Sequence, residues 1–322
     1  MRHHRQIVAK VAKCLLVLLS IAVISFSACA PANPTPAGAV VDDLGRSVNI
    51  EKIPQRIVSL APSNTEILFA LGLGDRVVGV TEYCNYPPKA KDKEKIGGFS
   101  TPDIEKIIAL EPDLILASSI HAKEIIPALE ERGLIVFAIE PKDLDELFED
   151  SKVVGKITGK EKEASELVAQ MERRVKAVTE KTDKLREDQR PRVFYPVWHD
   201  PLWTVGSETF VNELIEKAGG VNIFQDIKRY KTVDLETVIA RNPEIIIAAA
   251  GHEDAGEELF KWVKSEPRLR GTEAHRNNRV YRIDSDTVER AGPRIVEGLE
   301  VLAKCIHPEI FGVPKPQEEK HD

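Results

Sequence analysis

The sequence is poor in the residues that build metal centres and disulfide scaffolds. It holds four cysteines in 322 residues. Cys14 lies in an apolar leader and Cys29 at its end. That leaves Cys84 and Cys305, far apart in the chain, with a disulfide between them an open question. No Cys-x-x-Cys or Cys/His ligand spacing occurs, and His121, His252 and His275 are scattered, so no metal site is expected. Catalytic signatures are also missing. There is no Gly-x-Ser-x-Gly, no Cys/His pair and no His-Glu-x-x-His; only His199 beside Asp200 offers acid–base chemistry. Gly72-Leu73-Gly74 meets Val77 where a dinucleotide fingerprint needs its third glycine. Basic residues are in deficit as well. Of 45 basic and 52 acidic residues, four basic ones precede Cys29. The remainder is 41 against 52, a net of −11, which argues against nucleic acid.

The first 28 residues form an export signal. Arg2, Arg5, Lys10 and Lys13 precede an apolar run from Cys14 to Phe26 that only serines interrupt. Small residues then lead to Cys29. The segment is too short for a membrane span and fits a secretory signal. The ending resembles a bacterial lipobox, with Phe26 where leucine is usual. That resemblance implies lipidation at Cys29 and a place on the outer face of the cytoplasmic membrane or in the periplasm. Residues 29–45, rich in Pro and Ala at first, are expected to be a tether.

One stretch occurs twice. Thr101–Ala117 reads TPDIEKIIALEPDLILA, and 131 residues later Thr232–Ala248 reads TVDLETVIARNPEIIIA. Eight of the seventeen positions are identical. Thr101 and Thr232 suit N-caps and Pro102 the first helical turn. Ile104, Ile107 and Ile108 make an apolar helical face, as do Leu235, Val238 and Ile239. Pro112 and Pro243 end the helix, and an aliphatic run follows that fits a buried parallel strand. Glu105 and Glu236 fall between the apolar positions and point to solvent. Two copies are too few for a solenoid; they imply two similar lobes.

The fold class expected is therefore α/β, with two pseudo-symmetric α/β lobes joined by one long rigid α-helix. The N-terminal lobe covers 46–158 and the C-terminal lobe 189–313, with 314–322 a disordered tail. The joining helix, within 159–188, runs from Glu161 to Glu187 without Gly or Pro and would span about 40 Å.

Aromatic residues make up only 6% of the chain, yet two of its three tryptophans fall within Trp198–Trp203. Open α/β sheets bind ligands on the loops that follow their strands. Such loops are expected to present Tyr83, Tyr86 and Phe99 from one lobe and Trp198, Trp203 and Tyr230 from the other. Asp286 and Arg290 add polar groups. A ring-lined cleft suits a large, partly flat ligand.

The repeat, the APSNTEILFALG stretch, the TEYCNYPP loop and the DTVERAGPRI segment resemble the solute-binding proteins of ABC importers for cobalamin, ferric siderophores and haem. Over about residues 46–312 the chain is most similar to the cobalamin-binding members. The resemblance implies ligand contacts from Tyr83, Phe99, Trp203, Tyr230, Asp286 and Arg290, with Trp198 adjoining another ring position. Ser118 and Val197 stand where cobalamin relatives can carry rings. It also gives Glu105 and Glu236 a role: one acid per lobe would meet arginines of a two-fold permease dimer, which works with its ATPase. The ligand would be a corrinoid, with haem or a ferric siderophore as the alternative. No catalytic residue, cofactor or nucleic-acid partner is expected, and the protein is expected to be a monomer. An exported α/β enzyme using His199 and Asp200, or a structural lipoprotein, are the readings of other classes.

Overall fold

The computed structural model describes residues 38–250 and 254–314. The export signal, Cys29, His252 and the tail from 315 lie outside the described residues. The expected tether gives way to structure by Gly38. Strands β1 (Gly38–Val41) and β2 (Ser47–Ile50) form an antiparallel hairpin, and Gly45 supplies the positive φ its turn requires. Asp42 in that turn is buried. It bonds Arg46 and accepts from the Ala138 amide at 3.1 Å, which fastens the hairpin to the first lobe.

The first lobe comprises β3 (Ile57–Ser59), α1 (Pro62–Ala70), β4 (Val77–Val80), β5 (Glu94–Lys95), α2 (Ile104–Ala109), β6 (Leu114–Ala117), α3 (Ile125–Glu130) and β7 (Val136–Ala138). Its sheet runs β5-β4-β3-β6-β7, all parallel. Helices α4 (Leu144–Thr158) and α5 (Glu161–Thr182) follow. The second lobe comprises β8 (Arg192–Phe194), β9 (Pro196–His199), β10 (Leu202–Val205), α6 (Phe210–Lys217), β11 (Val221–Asn222), β12 (Tyr230–Thr232), α7 (Leu235–Arg241), β13 (Ile245–Ala250), α8 (Asp254–Ser265), α9 (Glu273–Arg276), β14 (Val280–Asp284), α10 (Ser285–Val288) and α11 (Ile295–Ile306). Its parallel sheet runs β11-β8-β13-β14. In chain order, four strands of each lobe thus stand 2-1-3-4. The repeat occupies the same place in both, with α2 and β6 answering α7 and β13.

The repeat is matched in local geometry, with one correction. The N-caps are Asp103 and Asp234, not Thr101 and Thr232. Each Asp accepts from the amide three residues on, Lys106 at 3.1 Å and Thr237 at 2.7 Å, as a short acceptor at that position should. Pro102 lies before the helix, bridged to Gly97. Glu111 and Asn242, again 131 apart, both take left-handed φ and turn the chain ahead of Pro112 and Pro243.

Both sheets are buried on two faces, which explains their near-continuous aliphatic strands. One core cluster is continuous from Ile67 and Leu68 in the first lobe, through Ala164, Val168 and Met171 of α5, to Leu214 and Leu299 in the second. The lobes accordingly cluster as one unit. Helix α5 is the joining helix, but it stops at Thr182, so it spans about 33 Å and not 40 Å. Arg190 reaches back to the Thr182 carbonyl at 2.9 Å, and the Thr182 hydroxyl donates to the Lys217 carbonyl at 2.7 Å. These bonds turn the chain into the second lobe. Cys84 and Cys305 are buried free thiols. Among the described residues no helix is long and apolar enough to cross a membrane.

Candidate functional site

In an open parallel sheet, a crevice forms where neighbouring strands send their connections in opposite directions. In the first lobe that point lies between β3 and β6. The loops leaving their carboxyl ends, Ala61–Ser63 and Ser118–Ile120, line a cavity of about 670 Å³. Tyr83 after β4, Phe99 and Ser100 ahead of α2, and Ile139–Pro141 after β7 extend the same wall. The second lobe contributes Ser285, Asp286 and Glu289–Ala291 from the segment after β14. The cavity is therefore an inter-lobe cleft in the size range of small-molecule sites.

Tyr83, Phe99, Asp286 and Arg290 are thus brought together on one cavity. Phe99 is held by a neighbour that the sequence left unassigned. His121 is fully buried; its Nδ1 accepts from the Ser118 amide at 3.0 Å and its Nε2 donates to the Phe99 carbonyl at 2.7 Å. Nδ1 as acceptor puts the ring proton on Nε2, and burial pushes this imidazole's pKa down. Its ring meets Phe99 edge-on at 5.6 Å.

Trp198, Trp203 and Tyr230 are placed differently from expectation. They lie on strands, not loops. Strands β9, β10 and β12 form a separate antiparallel sheet, with Trp203 opposite both Trp198 and Thr232 and Val205 opposite Tyr230. The two-residue period puts Trp203 and Tyr230 on one face, where they are 38% and 45% exposed. None of the three lines the cavity. Tyr230 comes nearest in effect. Partial burial of its hydroxyl end, and then the charge of Glu289, a cavity residue, push its phenol up to about 12. Glu289 also accepts the buried Tyr195 hydroxyl at 2.8 Å. His199 does not pair with Asp200. Its Nε2 meets Glu258 at 3.1 Å, while Trp198 Nε1 donates to the Asp200 carbonyl. The acid–base pair that the alternative enzyme reading needs is not formed.

A second group of polar residues went unread in the sequence. Glu66 on α1 is only 3% exposed. Its carboxylate takes a fork from Arg294, at 2.6 and 3.0 Å, and lies 3.7 Å from Arg290. Burial pushes its pKa up, while Arg294 and Arg290 pull it down. Asn85, in the loop after β4, accepts from Arg290 at 2.7 Å and donates to Asp286 at 2.9 Å. Arg290 meets Asp286 at 3.0 Å, and Arg294 stacks 4.0 Å from the Tyr86 ring centre. Glu66 follows Ser63, Asn64 and Thr65 and carries no local signal of burial; its partners Arg290 and Arg294 lie 224 and 228 positions away and could not be inferred.

Glu105 and Glu236 sit in the first turns of α2 and α7. Both are exposed, with loose ion pairs to Arg132 at 3.9 Å and Arg268 at 3.3 Å. Neither lines the cleft. Among the described residues no group of His, Cys, Asp and Glu is placed to hold a metal ion.

Residues 57–287 match the family model described as periplasmic binding protein. The chain is 37% identical over 278 residues to an uncharacterized ABC transporter substrate-binding lipoprotein of Bacillus subtilis, covering 84% of this chain and 86% of that one. It is 29% identical over 248 residues to the vitamin B12-binding protein of Vibrio cholerae, covering 76% and 87%. Among solved structures, a possible iron-binding (periplasmic solute-binding) protein of Staphylococcus epidermidis superposes with a TM-score of 0.70 at 34% identity, over 80% of this chain and all of that one. The periplasmic vitamin B12 binding protein of Vibrio cholerae gives 0.68 at 29%, over 80% and 98%. The chain belongs to the periplasmic binding protein family, as a substrate-binding protein of an ABC transporter and not an enzyme.

Proposed function

We propose that this protein captures cobalamin, or a related corrinoid, in the inter-lobe cleft and hands it to an ABC permease. The observation that carries the reading is one cavity walled by Tyr83 and Phe99 from the first lobe and by Asp286 and Arg290 from the second. The rings suit the flat face of a macrocycle. The serine-rich wall of Ser63, Ser100, Ser118, Ser119 and Ser285 suits a ligand fringed with amides, which both donate and accept. Arg290 is already engaged by Asn85 and Asp286, which leaves it poorly suited to neutralise the carboxylates of a haem. Trp198, Trp203 and Tyr230 belong to the same reading as rings on the neighbouring sheet of the second lobe. The B12-binding names among the relatives support the same ligand.

Calorimetric titration of the purified protein with cyanocobalamin tests this, and saturable one-to-one binding at micromolar concentration or below is expected. Absence of heat and of co-elution removes cobalamin. The second reading, an iron ligand as haem or ferric siderophore, draws on the 34% identical relative described as possibly iron-binding. A Soret band in the protein as purified would favour haem.

In this reading Glu105 and Glu236 dock one on each subunit of the permease dimer, which works with its ATPase. Cys29 carries the lipid that holds a monomeric receptor on the outer face of the cytoplasmic membrane. Residues 46–158 and 189–313 are the two lobes and 159–188 the link.

A further inference from the structure

The cleft has a closed side, and its chemistry is unlike that of the walls. From the first lobe, Glu66 on α1 and the Tyr83–Tyr86 loop reach across. From the second, Asp286, Arg290 and Arg294 meet them. The bonds between lobes are Arg294 to Glu66 at 2.6 and 3.0 Å, Arg290 to Asn85 at 2.7 Å, Asn85 to Asp286 at 2.9 Å, and Arg290 to the Tyr83 carbonyl at 3.4 Å. The backbones are close enough here that a methyl group on Gly292 would come within 3.2 Å of the Glu66 carboxylate and 3.5 Å of the Ser63 Cα. Elsewhere between the lobes, Glu213 of the second lobe accepts from the Leu144 amide of α4 at 3.0 Å.

We infer that Glu66 is a positioning residue that clasps the two lobes through Arg294 and Arg290 and thereby sets both the width of the cleft and the place of Arg290 on its floor. A buried carboxylate held by two guanidiniums has few alternatives to its native geometry. Removing Glu66 leaves Arg290 and Arg294 to share the one carboxylate of Asp286, at 3.0 and 4.0 Å, in a part-buried site. The fork of Arg294 is directional, and stacking on Tyr86 fixes that arginine's own plane. Asn85 then ties Arg290 to Asp286, so two cavity residues are held from the opposite lobe. The clasp acts on the ligand through Arg290; Glu66 does not itself line the cleft.

The inference rests on the cleft being the ligand site, so the test has one arm that needs no ligand. Ketone-bearing residues at the exposed positions Glu131 and Lys261, one in each lobe, accept spin labels without touching the native thiols. Pulsed electron resonance then reads the inter-lobe distance. Wild type is expected to give one narrow distribution. Glu66→Gln, which keeps the shape and loses the charge, is expected to broaden it and shift it to longer distance. Asn85→Ala, at the part-buried edge of the network, is expected to broaden it less, and it decides the matter alone if Glu66→Gln does not fold. In the second arm, cyanocobalamin is expected to leave Glu66→Gln about tenfold faster than wild type, because Arg290 is no longer fixed on the floor of the cleft and variants of one site differ mostly in dissociation. Distance distributions identical to wild type in the folded variants overturn the clasp, even if their melting temperatures fall. Broadened distributions in a protein that binds no cobalamin leave the clasp intact and remove the ligand reading instead.

Discussion

Asp150 and Asp43 show how a single carboxyl can make stability depend on pH far from the cleft. Asp150 lies on α4 with one carboxylate oxygen buried and without a hydrogen-bond partner. Burial, and then the charge and hydrogen bond of Asp43, push its pKa up to about 8, with Glu146 and Glu149 adding to the effect. Burial raises Asp43 as well. A carboxyl whose folded pKa lies above its unfolded value binds its proton more tightly in the native state. Its contribution to stability is therefore full below the unfolded value, about 4, and is lost as pH rises through about 8. Asp150→Asn mimics the protonated form. We expect it to melt higher than wild type at pH 8.5 by several degrees, since about 1 kcal/mol moves the midpoint of a chain this size by roughly 2–4 °C. At pH 3.5, below the unfolded value, the two should melt together, with the gap opening as pH rises. A difference independent of pH between 5 and 8.5 would assign the effect to packing. The pair matters for the cleft because Asp43 also accepts the amide of Glu140, a cavity residue, at 2.5 Å.

At the scale of elements, the repeat was legible because its signal is local: aliphatic spacing, an acid in the first turn, a proline at the end and a four-residue apolar run. Its start was read two residues early because Thr and Asp are comparable caps and only geometry chooses between them. Asp103→Ala and Asp234→Ala are each expected to cost about 1 kcal/mol, read as a lower urea midpoint at unchanged slope. Similar losses at both sites would be the energetic counterpart of the repeat, whereas a loss at one site only would mean the second copy is held by tertiary packing. The aromatic hairpin was misread for the opposite reason. Asp200-Pro201 between two tryptophans looks like a loop; it is the turn of a hairpin in which β9 pairs β10, and the strand that pairs the other edge of β10, β12, lies about 30 residues away. The closed side of the cleft was legible only in part. Asp286 and Arg290 stood in a segment with a recognisable pattern, but Glu66 directly follows Ser63, Asn64 and Thr65 near the start of its helix. A charge there reads as solvent-facing until its partners are known.

The molecule as a whole is two lobes built to one plan, and that plan has a consequence that neither lobe has alone. A two-fold dimer presents the same groups twice, so a monomer that docks on it needs a surface with approximate two-fold symmetry. Helices α2 and α7 occupy equivalent places in the two sheets, and each carries one exposed acid in its first turn, Glu105 and Glu236. Both are on the side of the sheet packed by the outer clusters, away from the core that joins the lobes. Their present partners are weak. Surface pairs such as those with Arg132 and Arg268 are worth about 0–1 kcal/mol, so in the docking proposed above, exchange for a permease arginine would cost little and would gain a desolvated, directional pair. Reversal of one charge should therefore slow ligand uptake in cells while leaving one docking point. Reversal of both, as Glu105→Arg with Glu236→Arg, should abolish uptake, because each arginine then faces a like charge. Neither residue lines the cleft, so the double variant should bind ligand with the wild-type dissociation constant. Uptake at the wild-type rate in the double variant would mean that the permease grips some other surface; loss of ligand binding would mean that the substitutions had damaged the lobes and not the dock.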